Sequence, residues 1–223
     1  AENKNNVNDA GYFSKLSEIY RKIVIEKLVN AEHLWTIYCD STAYPYVLDG
    51  DIVVLYDFTN HDKVGEQLAK YGFNVSFGIE DRESIFYEIG HMYRNGLKNI
   101  RFTDGRDNML IVPREEIATY DKFFKDDYVT NPGLQSALIA FFQEFRKPEG
   151  KDKSVVLATK ESELRVALRN ADYMVPCTKE ETEDSVSIAH PYVDITDKVQ
   201  HKDGEQVLAL PVFTDGFELD KCY

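Results

Sequence analysis

Two short stretches carry the side chains best suited to chemistry. Residues 58–60 read Phe-Thr-Asn and residues 213–216 read Phe-Thr-Asp-Gly. Each sets a hydroxyl (Thr59, Thr214) beside a side-chain acceptor (Asn60, Asp215) at the end of an apolar run. At a helix start such a pair can line a small anion or peptide site, because the first backbone N–H groups are unpaired. The same residue types are also the commonest helix caps, and capping is the more frequent use.

Other reactive types lack a matching arrangement. Cys39 and Cys177 end comparable apolar runs, but a nucleophilic thiol needs a base and a setting that favours thiolate. Of His33, His61, His91, His190 and His201, no two stand four apart with a carboxylate in the zinc-protease pattern. Asp104, Asp107 and Asn108 put oxygen donors in one loop, without the alternating spacing and distant Glu of a calcium loop, and read as a β-turn. No nucleophile elbow, phosphate loop or dinucleotide fingerprint occurs. The expectation is no catalytic residue, no metal ligand and no cofactor, leaning against an enzyme. Tyr44, Tyr46 and Phe217 flank the two hairpin regions and are expected to be exposed anchors for a partner peptide or second subunit. Ordinary loop packing is the competing role.

Composition narrows the partners. The 223 residues carry a net charge of −13, which opposes phosphate backbones and favours basic or neutral partners. Neither nucleic acid nor membrane is expected, since no apolar run reaches membrane-spanning length. Three cysteines without a C-x-x-C pair point to a reducing compartment, and the cytoplasm is the expected location. The chain begins at Ala1, which leaves room for a removed tag or signal peptide.

Positioning elements follow from periodicity. Residues 1–8 are polar and expected to be disordered. A helix is expected from Asn8 or Asp9 to Asn30, burying Phe13, Leu16, Ile19, Tyr20, Ile23, Val24 and Leu28 in one stripe. Residues 33–39 and 51–57 read as strands of an antiparallel hairpin with a long loop. After the turn at 58–60, Asn60 is expected to cap a helix over 61–71, closed by Gly72. A strand over 73–79, a helix from 80–81 to 95–96, strands over 99–103 and 109–112, and a helix from 113 complete the pattern. This is an α+β fold, a mixed sheet with helices packed mainly on one face, over residues 9–120. Residues 121–153 read as a helical linker whose helix over 132–147 buries Leu134, Leu138, Phe141, Phe142 and Phe145.

Residues 154–223 repeat the opening. A helix ending at Asn170-Ala171-Asp172 echoes Asn30-Ala31-Glu32, residues 173–177 match the strand ending at Cys39, and residues 206–216 match 51–60. The expectation is an incomplete second copy of the first unit.

These strands and turns resemble the SseB protein N-terminal domain family, bacterial proteins named for enhanced serine sensitivity. The resemblance rests on residues 52–60, 96–102 and 111–116, and on Tyr173-Met174-Val175-Pro176 with residues 208–216. It departs at residues 102–107, where the family has an Asn-Pro-like turn. The family carries no established catalytic motif, so the resemblance transfers no catalytic role. The repeat, the aromatic loops and the missing catalytic constellation lead to the expectation of a non-enzymatic protein-binding or scaffold module, with self-association as a further expectation. The alternative is a small-molecule or anion sensor, or a hydrolase, at the two Phe-Thr turns.

Overall fold

Apolar residues run almost continuously through the opening long strands, and both of their faces find cover. The computed structural model describes residues 3–125, 128–181, 185–200, 202 and 205–222, with side chains from residue 11. Seven strands form the main sheet: β1 (Leu34–Cys39), β2 (Tyr44–Pro45), β3 (Val47–Leu48), β4 (Asp51–Leu55), β5 (Val75–Glu80), β6 (Asn99–Thr103) and β7 (Met109–Pro113). The long strands lie in the order β5-β1-β4-β6-β7, while β2 pairs with the end of β1 and β3 with the start of β4. β4 and β6 run parallel, from Ile52 opposite Ile100 to Leu55 opposite Thr103, and the other neighbours run antiparallel. The fold is α+β with a mixed sheet.

On β4 the side-chain period of two sends Ile52 and Val54 to one core, and Val53 and Leu55 to the other. Helices α1 (Asn3–Val29) and α3 (Arg82–Arg94) cover the first face through Ile25, Ile85, Ile89 and Met92. The second face is covered by α2 (His61–Lys70), through Val64 and Leu68, together with Tyr46 and Phe73.

The first helix ends where expected but differs at its start and in what it buries. It begins at Asn3 instead of Asn8 or Asp9. Phe13, Ile19, Tyr20, Ile23 and Val24 are exposed, and only Ile25, Leu28 and Val29 reach the core. A helix of 27 residues is about 40 Å long, roughly twice the length of a six-residue strand. Only its last turns can lie on the sheet. Arg21 ties it there, donating to the Ile111 carbonyl at 3.0 Å and to Glu116 at 3.0 Å.

Beyond the sheet, α4 (Pro132–Phe145) and α5 (Lys153–Asn170) form a helical hairpin. α4 buries Leu134, Ile139 and Gln143, while Phe142 and Phe145 stay exposed. The helix expected from residue 113 is a single 3-10 turn, Arg114–Glu116. The tail holds β8 (Thr178–Glu181), β9 (Val186–Ala189), β10 (Val193–Asp194), β11 (Leu208–Ala209) and α6 (Gly216–Asp220).

The tail runs α5, the β8–β9 hairpin, β10, a 3-10 turn, β11 and α6, and β8 and β9 form a sheet of their own, whereas β1 to β4 of the head all belong to the main sheet. The settings differ. β4 is buried throughout between β1 and β6, whereas β11 pairs only with β10 and leaves Leu208, Leu210 and Val212 exposed. Residues 173–177 contribute one bridge, Met174 to Phe213, instead of a strand. Among the described residues no helix covers these segments as α1 and α3 cover β4, so they lack the burial that lengthens a strand. No helix among the described residues is long and apolar enough to cross a membrane.

Candidate functional site

A groove of about 1070 Å³ opens beside the sheet, with α4 between two walls. One wall comprises the β3 hairpin with Asp49 and Gly50, plus Lys98 and Arg114, and the other is the inner face of α5. α4 contributes Gly133, Ser136, Ala137 and Ala140 at helical spacing, which leaves its backbone approachable. Val47 and Val166 add apolar surface.

The hairpin wall is held by an amide clamp. Gln143 Oε1 accepts from the Val47 N–H at 2.9 Å, and its Nε2 donates to the Val47 carbonyl at 3.0 Å. Arg101 gathers the base of the hairpin, donating to Asp51 at 2.8 Å and Asp49 at 3.2 Å. Arg114 lies over the Tyr93 ring at 3.9 Å and donates to the Met92 and Leu97 carbonyls. Charges inside the groove are mostly paired, Lys147 with Glu144 at 2.5 Å and Lys160 with Glu163 at 2.9 Å.

The sequence-expected residues do not converge on one site. Asn60 is buried, donates to Asp57 at 3.0 Å and the Asp104 carbonyl at 2.7 Å, and accepts from Arg106 at 2.9 Å. Its side chain caps no helix; it welds the first Phe-Thr turn to the loop after β6. Thr59 is exposed and bonded to Asp57, whose carboxyl these bonds hold below its ordinary value. In the neighbouring loop Asp104 accepts from the Arg106 and Asn108 backbones, which accords with the turn reading.

Asp215 does cap α6, accepting from the Glu218 N–H at 3.0 Å. It is wholly buried against Arg94 at 2.8 Å. Thr214 accepts from Asn131 through its carbonyl and from Gln135 through its hydroxyl. Tyr46, expected to be exposed, is buried edge-to-face on Phe73 at 5.0 Å and borders the groove. The physical reason is the break in the chain between β2 and β3: Tyr44 lies in β2, Tyr46 lies outside both strands, and only Tyr46 joins the core that α2 covers. Tyr44 is 43% exposed and lines a separate 260 Å³ pocket with Phe142 and Arg146. Phe217 is half-exposed beneath the Arg94 guanidinium at 5.1 Å.

Cys39 is buried and its thiol is pushed up to about 11, chiefly by desolvation, so it stays protonated at neutral pH. Among the described residues no three His, Cys, Asp or Glu side chains are grouped to hold a metal ion. Gln143, Asn131 and Arg94 were not found from the sequence. Gln143 had one signal, a polar side chain four residues after Ile139 in the buried stripe.

These features define an α+β protein built on one mixed sheet, with a helix-floored groove at its side. Comparison with known proteins finds no matching family model, no matching curated protein and no matching solved structure.

Proposed function

We propose that this is a non-enzymatic protein-binding module that receives an extended segment of a partner protein in the groove between the β3 hairpin and α5. The observation that carries the reading is the row of small residues at 133, 136, 137 and 140 between two polar walls. Small side chains let a partner backbone approach closely, and the walls offer groups that fix its register. Cytoplasmic location, self-association and kinship with the SseB N-terminal family belong to the same proposal, the kinship supported by the sequence motifs. The alternative reading, a sensor or hydrolase at the two Phe-Thr turns, draws no specific support from contacts that already occupy Asn60 and Asp215.

A displayed peptide library panned on the whole chain tests this. Wild type should enrich a family of segments, and Ala137→Trp or Ala140→Trp should abolish their binding while the unfolding midpoint holds. Enriched peptides that bind both filled variants as well as wild type would remove the groove from consideration.

A further inference from the structure

Against α3, a third cavity of about 230 Å³ lies between that helix, the turn at 120–124 and Phe217 of α6. Aromatic rings dominate its lining. Phe86 and Phe123 lie 4.7 Å apart, and Phe124 meets Phe217 edge-on at 6.3 Å. Gly90 makes this possible, since a Cβ there would come within 2.9 Å of the Phe123 ring.

The polar part of the lining is Arg94, His91 and Lys122. Arg94 is committed to Asp215 and Glu218, and Lys221 bonds Glu218 at 3.0 Å. Arg94 and Lys221 are thereby matched by Asp215 and Glu218, while among the described residues no carboxylate lies within ion-pair distance of the Lys122 ammonium. The adjacent Asp121 is turned to the Thr119 hydroxyl at 2.5 Å. His91 is half-buried, and desolvation, then Arg94 and Lys221, hold its pKa below the ordinary value. It is thus neutral near pH 7, and its ring nitrogens have no described protein partner.

We propose that this cavity binds a small aryl carboxylate. The ring would sit among Phe86, Phe123 and Phe217, where offset and edge-on contacts add to apolar burial. The carboxylate would take the Lys122 ammonium and a hydrogen bond from His91. The volume is below the roughly 300–1,000 Å³ of drug-sized sites, which limits the ligand to about one ring. With Lys122 and Arg94 in the lining and no carboxylate there, the cavity selects against an arylamine of the same shape. This inference is independent of the groove, which shares none of these residues.

The test is a fluorine NMR titration of the whole chain with 4-fluorophenylacetate, with 4-fluorobenzylamine as the charge-reversed probe. Saturable binding is expected with Kd on the order of 0.1–1 mM, as suits a ligand of about eleven non-hydrogen atoms. Lys122→Gln and Phe86→Ala, both at exposed positions, should each weaken it about fivefold or more. The amine should bind at least about tenfold more weakly. No saturation by about 10 mM, equal binding of the amine, or wild-type affinity in Lys122→Gln would overturn the proposal. If Phe86→Ala loses its fold, Lys122→Gln and the amine decide the matter.

Discussion

Arg94 donates from Nε to Asp215 Oδ2 at 2.8 Å, joining residues 121 positions apart across the interface between α3 and the tail. Both groups are buried, Asp215 completely. The pair is reinforced by Arg94 Nη2 to Glu218 at 2.6 Å. Asn131 works beside it, accepting from the Asp172 N–H and donating to the Asp172 and Thr214 carbonyls.

Breaking that pair should expose its desolvation cost. Arg94→Ala should lower stability by about 3–5 kcal/mol, because the buried Asp215 charge is left unmatched, and Asp215→Ala by less, because Arg94 keeps Glu218. The double variant Arg94→Leu with Asp215→Leu should cost less than the two single losses together. Urea unfolding of the four proteins, read by far-UV circular dichroism, checks both statements.

Glu88 gives the stability a pH slope. Desolvation first, then the Glu80 charge, lifts its pKa from 4.5 to about 7, while Tyr38 donates to Glu80 at 3.1 Å and to Glu88 at 3.4 Å. The folded state therefore holds a proton that the unfolded chain releases between pH 4.5 and about 7. Stability from this group is greatest at the acid end and falls as pH rises through that window. Glu88→Gln should flatten its contribution to the slope, measured as unfolding free energy at several pH values. A wild-type slope unchanged by Glu88→Gln would contradict this.

The two hairpin tyrosines should separate in their effects. Tyr46→Ala removes a buried ring packed on Phe73 and should cost about 3–5 kcal/mol. Tyr44→Ala, at a half-exposed position, should stay within about 1 kcal/mol of wild type. Thermal unfolding of the two single variants discriminates them.

Gln143 should govern the opening of the groove wall. Gln143→Ala leaves both polar groups of Val47 without this partner, at a cost of about 1–3 kcal/mol. Amide exchange at Val47 should accelerate in the variant, while exchange at Val54 in the sheet centre should follow only global stability.

Gly105 is a backbone requirement. Its φ is +76°, and a Cβ would stand 2.8 Å from a Val64 methyl carbon. Gly105→Ala should cost more than about 1 kcal/mol, from the left-handed backbone and the contact together. Denaturant midpoints provide the measurement.

Local sequence signals located many elements closely. Aromatic and β-branched content placed β1, a continuous apolar run β4, alternation β5 and the turn between them β6 and β7, and Gly72 and Gly96 mark helix ends where φ is +84° and +69°. These features depend on side-chain period and on conformations available to one residue type, so neighbouring residues suffice to reveal them. The α1 stripe was misread because periodicity identifies an apolar face but not what lies opposite it. Asn60 was read as a cap because its type suits one; its actual partners, Asp104 and Arg106, come from a loop more than forty residues away.

By itself the sequence determined the period of each segment, the turns that end them and the net acidity of the chain. Tertiary structure alone decided which polar side chains were enclosed, since desolvation depends on groups brought together from distant positions. Gln143 became a clamp on Val47, Arg94 a counter-ion for Asp215 and Glu88 a near-neutral acid only once the sheet, α3 and α4 had removed water around them.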